Sequence, residues 1–105
     1  MSLSTHVLDA VRGRPAAGVA VRLDRWADAD GWQPVAAART DDDGRISGWE
    51  PGAGLHRLVF DTGGYLGADA FFPEVVVTFR VTDPAGRHHV PLLLSPFAYS
   101  TYRGS

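Results

Sequence analysis

Apolar residues along this chain recur at every second position in short stretches, and each stretch is broken by turn-forming residues. Val19, Val21 and Leu23 alternate with Ala20, Arg22 and Asp24, the period-two pattern of a half-buried strand. Val75, Val77, Phe79 and Val81 repeat it against Glu74, Val76, Thr78 and Arg80. Further strands are predicted over Leu3–Val11, Trp32–Thr40, Arg45–Gly48, Leu55–Asp61, Arg87–Leu94 and Phe97–Tyr102.

The breaks carry their own chemistry. Arg12-Gly13-Arg14-Pro15 and Pro51-Gly52-Ala53-Gly54 read as loops, Asp30-Gly31 and Asp83-Pro84-Ala85-Gly86 as hairpin turns, and Ser95-Pro96 as a separator. Thr62-Gly63-Gly64 ends a strand, and Tyr65–Ala70 is the one segment with room for a helix, of one or two turns. Asp41-Asp42-Asp43-Gly44 invites a calcium reading, but the ligand spacing of an EF-hand loop is missing, so a hairpin turn is preferred. Seven or eight strands and at most one short helix predict an all-β sandwich, a single domain over residues 1–105.

Composition narrows this picture without directing it. Hydrophobic residues make up 45% and charged ones 21%, as in an ordinary globular domain. A net charge of −2 gives no footprint for nucleic acid or an anionic membrane. With no cysteine, disulfides and thiolate metal sites are excluded. The first ten residues lack the pattern of a secretory signal, and no apolar run reaches the roughly 20 residues of a membrane span. A soluble cytoplasmic protein is the expectation.

Candidate chemistry concentrates toward the C-terminus. Within Arg87–Leu94, Val90, Leu92 and Leu94 fall on one face with His88, and His89, Pro91 and Leu93 on the other. If the first set packs the core, His89 lies on an outer face that keeps apolar neighbours, which suggests cover by another subunit. Adjacent histidines suggest zinc, but His88 and His89 point to opposite faces, so a shared metal is disfavoured. His6 and His56 complete the histidines, and each alone reads as a strand residue. No nucleophile elbow, phosphate loop, dinucleotide motif or zincin helix is present. Imidazole, guanidinium and phenol remain, a set suited to general-base activation of water beside a stabilised anion. The chain also ends on Tyr102, Arg103, Gly104 and Ser105, an aromatic and a guanidinium where tails are usually small and frayed.

His6-Val7-Leu8-Asp9-Ala10 with Gly13-Arg14-Pro15-Ala16 resembles the opening of transthyretin and of the transthyretin-like 5-hydroxyisourate hydrolases. Asp43-Gly44-Arg45, His89-Val90-Pro91-Leu92-Leu93-Leu94-Ser95-Pro96 and Tyr102-Arg103-Gly104-Ser105 resemble the later motifs of the hydrolase branch. The hormone carrier has lysine, glutamate and threonine where this chain has His6, Arg45 and His89, and it lacks the Tyr-Arg-Gly-Ser ending. The resemblance implies a transthyretin-like sandwich of two four-stranded sheets. It implies a homotetramer, a dimer of dimers, with clefts where the outer sheets of two dimers meet. It also implies hydrolysis of 5-hydroxyisourate in urate degradation, without a cofactor. His6 and His89 would position and deprotonate the attacking water, and Arg45 would hold the ring and favour its anion. Tyr102, Arg103, Gly104 and Ser105 would line the cleft. Two departures stand out. The segment between Tyr65 and Phe71 is shorter than in typical members, which leaves their short helix in doubt, and Arg87-His88 replaces a common His-Tyr.

Overall fold

The computed structural model describes residues 2–105, which form two facing β-sheets. The first sheet is built on the parallel pair β1 (Ser2–Asp9) and β8 (Arg87–Leu94), with Ser4 opposite His89 and His6 opposite Pro91. On its far edge β8 pairs antiparallel with the short β9 (Tyr99–Thr101). The other edge of β1 is shared by β5 (Arg45–Trp49), against Leu3–His6, and by the two-residue β2 (Arg14–Pro15), against Leu8 and Asp9. The second sheet is antiparallel, in the order β4 (Gly31–Arg39), β3 (Ala20–Ala27), β6 (Gly54–Phe60), β7 (Val75–Val81).

The alternation read from the sequence is the alternation of burial. Leu3 and Val7 of β1, Val21 and Leu23 of β3, Leu58 and Phe60 of β6, and Leu92 and Leu94 of β8 are all buried between the sheets. Each such side chain contributes about 1.5–3 kcal/mol of transfer free energy. Thr5, inward on β1, is buried as well, and its hydroxyl donates to the Val90 carbonyl at 2.6 Å.

Three boundaries differ from the sequence reading. Arg14–Pro15, expected as loop, forms β2, so the first sheet holds five strands rather than four. Its edge position suits a proline, whose nitrogen has no proton to give the ladder. The final strand is three residues long, and Phe97 lies outside it, exposed. The helix forms, and it starts earlier than expected: α1 is Thr62–Leu66, followed by a 3₁₀ turn at Gly67–Asp69. Two glycines made its first turn read as a break. Their missing side chains are what the site requires, since a Cβ on Gly63 would lie 3.1 Å from Pro73 and one on Gly64 2.5 Å from the Asp61 carboxylate. That carboxylate caps the helix by accepting from the Gly64 amide at 3.0 Å. The Tyr65 hydroxyl then donates to Asp9 at 2.8 Å, tying the helix to the end of β1.

On the outer face of the second sheet Asp24 is buried by its own partners. Arg22 and Arg57 each approach its carboxylate to 2.8 Å, and the Arg57 guanidinium stands 4.5 Å over the Trp32 ring.

Candidate active site

The site is organised by parity on β1. Leu3, Thr5 and Val7 face the core, which turns Ser4, His6 and Leu8 to the outer face. His89 and Leu93 of β8 lie half-buried on that same face, where Leu8 pairs with Leu93. His88, one residue from His89, faces inward and is buried.

Arg45 reaches this face through the acidic turn. The Asp41 carboxylate accepts from the amides of Asp43 and Arg45, each at 2.9 Å, so the turn is closed by its own side chain. Gly44 follows with φ of 73°, and its carbonyl accepts from the Val7 amide at 2.8 Å. A Cβ at Gly44 would stand 2.4 Å from the Val7 carbonyl oxygen. Glycine is therefore what lets the turn dock on β1, and docking sets Arg45 directly opposite His6.

His89 is held from three sides. Its Nδ1 lies 2.7 Å from the Ser4 hydroxyl oxygen. Its carbonyl accepts from the Gly104 amide at 2.8 Å. Gly104 also packs on the imidazole, where an added Cβ would come within 2.4 Å of Cδ2. Burial lowers the His89 pKa from the ordinary value of 6.5, and the positive fields of Arg45 and His6 lower it further, while a hydrogen bond with Ser4 opposes them. These effects favour the neutral ring, which has one nitrogen free to accept a proton.

Arg45, His89, Ser4, Ser47 and Ser105 line one depression of ≈ 340 Å³, and Arg87 joins them. Tyr102 and Arg103 line a neighbouring hollow of ≈ 350 Å³, walled by Val77, Phe79 and His88. His89 lies on the divide and borders both. The tail is therefore split by Gly104: Ser105 is on the Arg45 side, Tyr102 and Arg103 on the other. His6 stands beside the first depression, as the register partner of Arg45.

Sequence reasoning missed Ser4, Ser47 and Arg87. Parity carried the signal for two of them, since Ser4 precedes His6 by two residues and Arg87 precedes His89 by two. His56 sits elsewhere, buried in the second sheet and stacked on Phe79, with the Gly54 and Pro51 carbonyls 3.1 and 2.8 Å from its two ring nitrogens. Among the described residues no group of three or more histidine or carboxylate side chains is placed to hold a metal ion. No helix among them is long and apolar enough to cross a membrane. Chemically, the face offers a neutral imidazole, a second imidazole close by, and guanidinium groups for an anion.

A family model described as "HIUase/Transthyretin family" matches residues 3–104. The 5-hydroxyisourate hydrolase of Salmonella dublin is 44% identical over 110 residues, covering 98% of this chain and 80% of that protein. Among solved structures, the 5-hydroxyisourate hydrolase of Klebsiella pneumoniae matches with a TM-score of 0.85 and 35% identity over all of both chains. Sea bream transthyretin in complex with thyroxine matches with a TM-score of 0.87 and 34% identity, covering 97% of this chain and 93% of that one. An enzyme and a hormone-binding protein thus share the sandwich, and the fold alone does not choose between their activities.

Proposed function

The chain belongs to the HIUase/Transthyretin family, and from that premise we propose that it hydrolyses 5-hydroxyisourate to 2-oxo-4-hydroxy-4-carboxy-5-ureidoimidazoline. The observation that carries this reading is that three strands place His6, Arg45 and His89 on one outer face. The hydrolase names of relatives such as the Salmonella dublin protein support it.

Water attacks a ring carbonyl while His6 and His89 orient it and take its proton. The ring C–N bond breaks, the nitrogen leaves with a proton, and the attacked carbon becomes the new carboxylate. Arg45 anchors the ring as an anion through charge-assisted hydrogen bonds, and its charge offsets the negative charge that builds on the carbonyl oxygen. Tyr102, Arg103, Gly104 and Ser105 form one wall, with Gly104 acting through its contact with His89 rather than through substrate.

The working form is a homotetramer, a dimer of dimers, in which the outer face of the first sheet meets its counterpart. Leu8 and Leu93 beside the histidines support this, since apolar side chains on an outer face favour burial against a second surface. The exposed aromatics Phe71, Phe97 and Tyr99 supply more unsatisfied apolar surface for assembly.

The alternative is a carrier that binds a small ligand on the same face without turnover, and the match to thyroxine-bound transthyretin favours it. The discriminating experiment generates 5-hydroxyisourate from urate with urate oxidase and adds the protein. A hydrolase gives multiple turnovers of the ureidoimidazoline product, whereas a carrier slows substrate loss in proportion to its own concentration.

A further inference from the structure

Of the two candidate histidines, His89 is the one whose ring has a hydrogen-bond partner among the described residues. His89 Nδ1 is engaged by the Ser4 hydroxyl at 2.7 Å, whereas among the described residues Nε2 has no partner within the chain and is not sealed from solvent. The contact is built into the sheet, because Ser4 and His89 are register partners across the parallel β1–β8 pair. Gly104 closes the Cδ2 edge of the same ring. The imidazole therefore has one nitrogen turned into β1, one edge against the tail, and one nitrogen open to the cleft.

We propose that Ser4 is a positioning residue that holds the proton of His89 on Nδ1 and so presents an unprotonated Nε2 to the water as the general base. This rests on the hydrolase reading above and deepens it by choosing between the two histidines. Which nitrogen of a neutral imidazole carries the proton is set by the hydrogen bond the other end makes. The Ser4 hydroxyl oxygen, 2.7 Å from Nδ1, is placed to accept from an Nδ1–H. With the proton there, the lone pair lies on Nε2, the nitrogen left open to the cleft. In the reaction Nε2 takes a proton from water, and the imidazolium then carries protons on both nitrogens. It returns the Nε2 proton to the departing ring nitrogen, so the base is regenerated in each turnover. His6 is left to orient the water and, through its field, to disfavour a protonated resting state of His89.

A serine 2.7 Å from a histidine is also the geometry of a nucleophile with its base. A nucleophilic Ser4 would need Nδ1 unprotonated to take its proton, which would put the ring proton on Nε2, so the tautomer separates the two roles.

The test compares wild type, Ser4→Ala and Ser4→Thr by ¹⁵N NMR of the His89 ring and by steady-state kinetics. In wild type at neutral pH the ring is expected as the Nδ1–H tautomer. Ser4→Ala should lose that preference and lower kcat about tenfold, the lower end for losing a group that orients a working histidine. Its KM should stay within twofold, and Ser4→Thr should restore both the tautomer and kcat. An Nε2–H tautomer in wild type, or a Ser4→Ala variant with unchanged tautomer and kcat, overturns the proposal. So does complete loss of turnover in Ser4→Ala with a covalent Ser4 adduct trapped in wild type. If wild type shows the Nδ1–H tautomer but no hydrolysis, the positioning contact stands and the hydrolase reading falls, so the two failures are distinguishable.

Discussion

His6 and Arg45 are direct partners across the antiparallel pairing of β1 and β5, and the glycine before Arg45 is pressed against the strand that carries His6. The backbone thus fixes where the two side chains leave the sheet, on neighbouring strands. With His89 on the other side of β1, the proposed machinery is spread across three adjacent strands of one sheet. Such a sheet fixes spacing well, because neighbouring strands lie about 4.8 Å apart.

Removing any of the three proposed groups is expected to leave the fold and remove the activity. His6→Ala, Arg45→Ala and His89→Ala should each lower kcat/KM by on the order of 10²-fold or more, the scale for losing a catalytic acid–base group. Thermal midpoints within a few degrees of wild type would accompany this, because none of the three lies in the apolar core. Full activity in a folded His89→Ala variant removes that residue from the mechanism.

Gly44 is where fold and site meet. Gly44→Ala places a Cβ 2.4 Å from a backbone oxygen and keeps a φ of 73° that alanine rarely adopts. The expected cost is about 1–3 kcal/mol in urea denaturation, with a fall in kcat/KM as Arg45 moves off His6. An Ala variant of wild-type stability would show that the turn is not tightly docked on β1.

The tail makes a different prediction from ordinary chain ends. Deleting Arg103–Ser105 removes the Gly104–His89 backbone bond and no core side chain, so turnover should collapse while the thermal midpoint hardly shifts. Gly104→Ala is the finer probe, since the three atoms nearest its methyl all belong to the His89 side chain. A deletion that dissociates the assembly, followed by size-exclusion chromatography, would instead make the tail structural.

The pH dependence follows from the sign of the His89 shift. Burial first, then Arg45 and His6, hold its pKa below the ordinary 6.5, and a base works only when neutral. kcat/KM should therefore be flat through neutrality and fall only below pH 6.5. Arg45→Met should move the His89 titration, followed by NMR, upward toward the ordinary value. For stability, a depressed histidine contributes above its unfolded value of about 6.5, and that contribution is lost as pH falls. An acid limb above pH 6.5 contradicts this placement.

Asp24 separates stability from function. Its pKa is lowered first by the hydrogen bond from Arg22, with burial opposing and Arg57 adding to the effect. A depressed carboxylate stabilises the fold above its unfolded value, and the contribution disappears as pH falls through the folded one. Asp24→Asn should cost about 1–3 kcal/mol in urea denaturation, less than for a sealed ion pair because Arg22 remains half exposed. kcat/KM should be unchanged, since the residue lies on the sheet that does not carry the site. A parallel loss of activity would mean that the two sheets are coupled.

The sandwich was legible because period-two alternation records which face of a strand meets the core, as in Val75–Val81. Strand parity alone placed His89 outward and His88 inward. The helix start was not legible, because Gly63 and Gly64 signal a break by propensity, while their role here is close approach to Pro73 and Asp61. β2 was hidden because two residues leave no period to detect. The juxtaposition of His6, Arg45 and His89 depends on which strands are neighbours, which no local pattern encodes, and only the family resemblance anticipated it. Ser4 escaped because parity puts it on the face of His6 without saying that His89 is its cross-strand partner.

The account stands most directly on the rate at which 5-hydroxyisourate, freshly made from urate by urate oxidase, disappears in the presence of this protein. We expect decay accelerated in proportion to enzyme, with many substrate molecules consumed per chain and the acceleration abolished in His89→Ala. Decay at the spontaneous rate, or a single stoichiometric burst with no turnover, contradicts the account and leaves a binding protein on a hydrolase's sandwich.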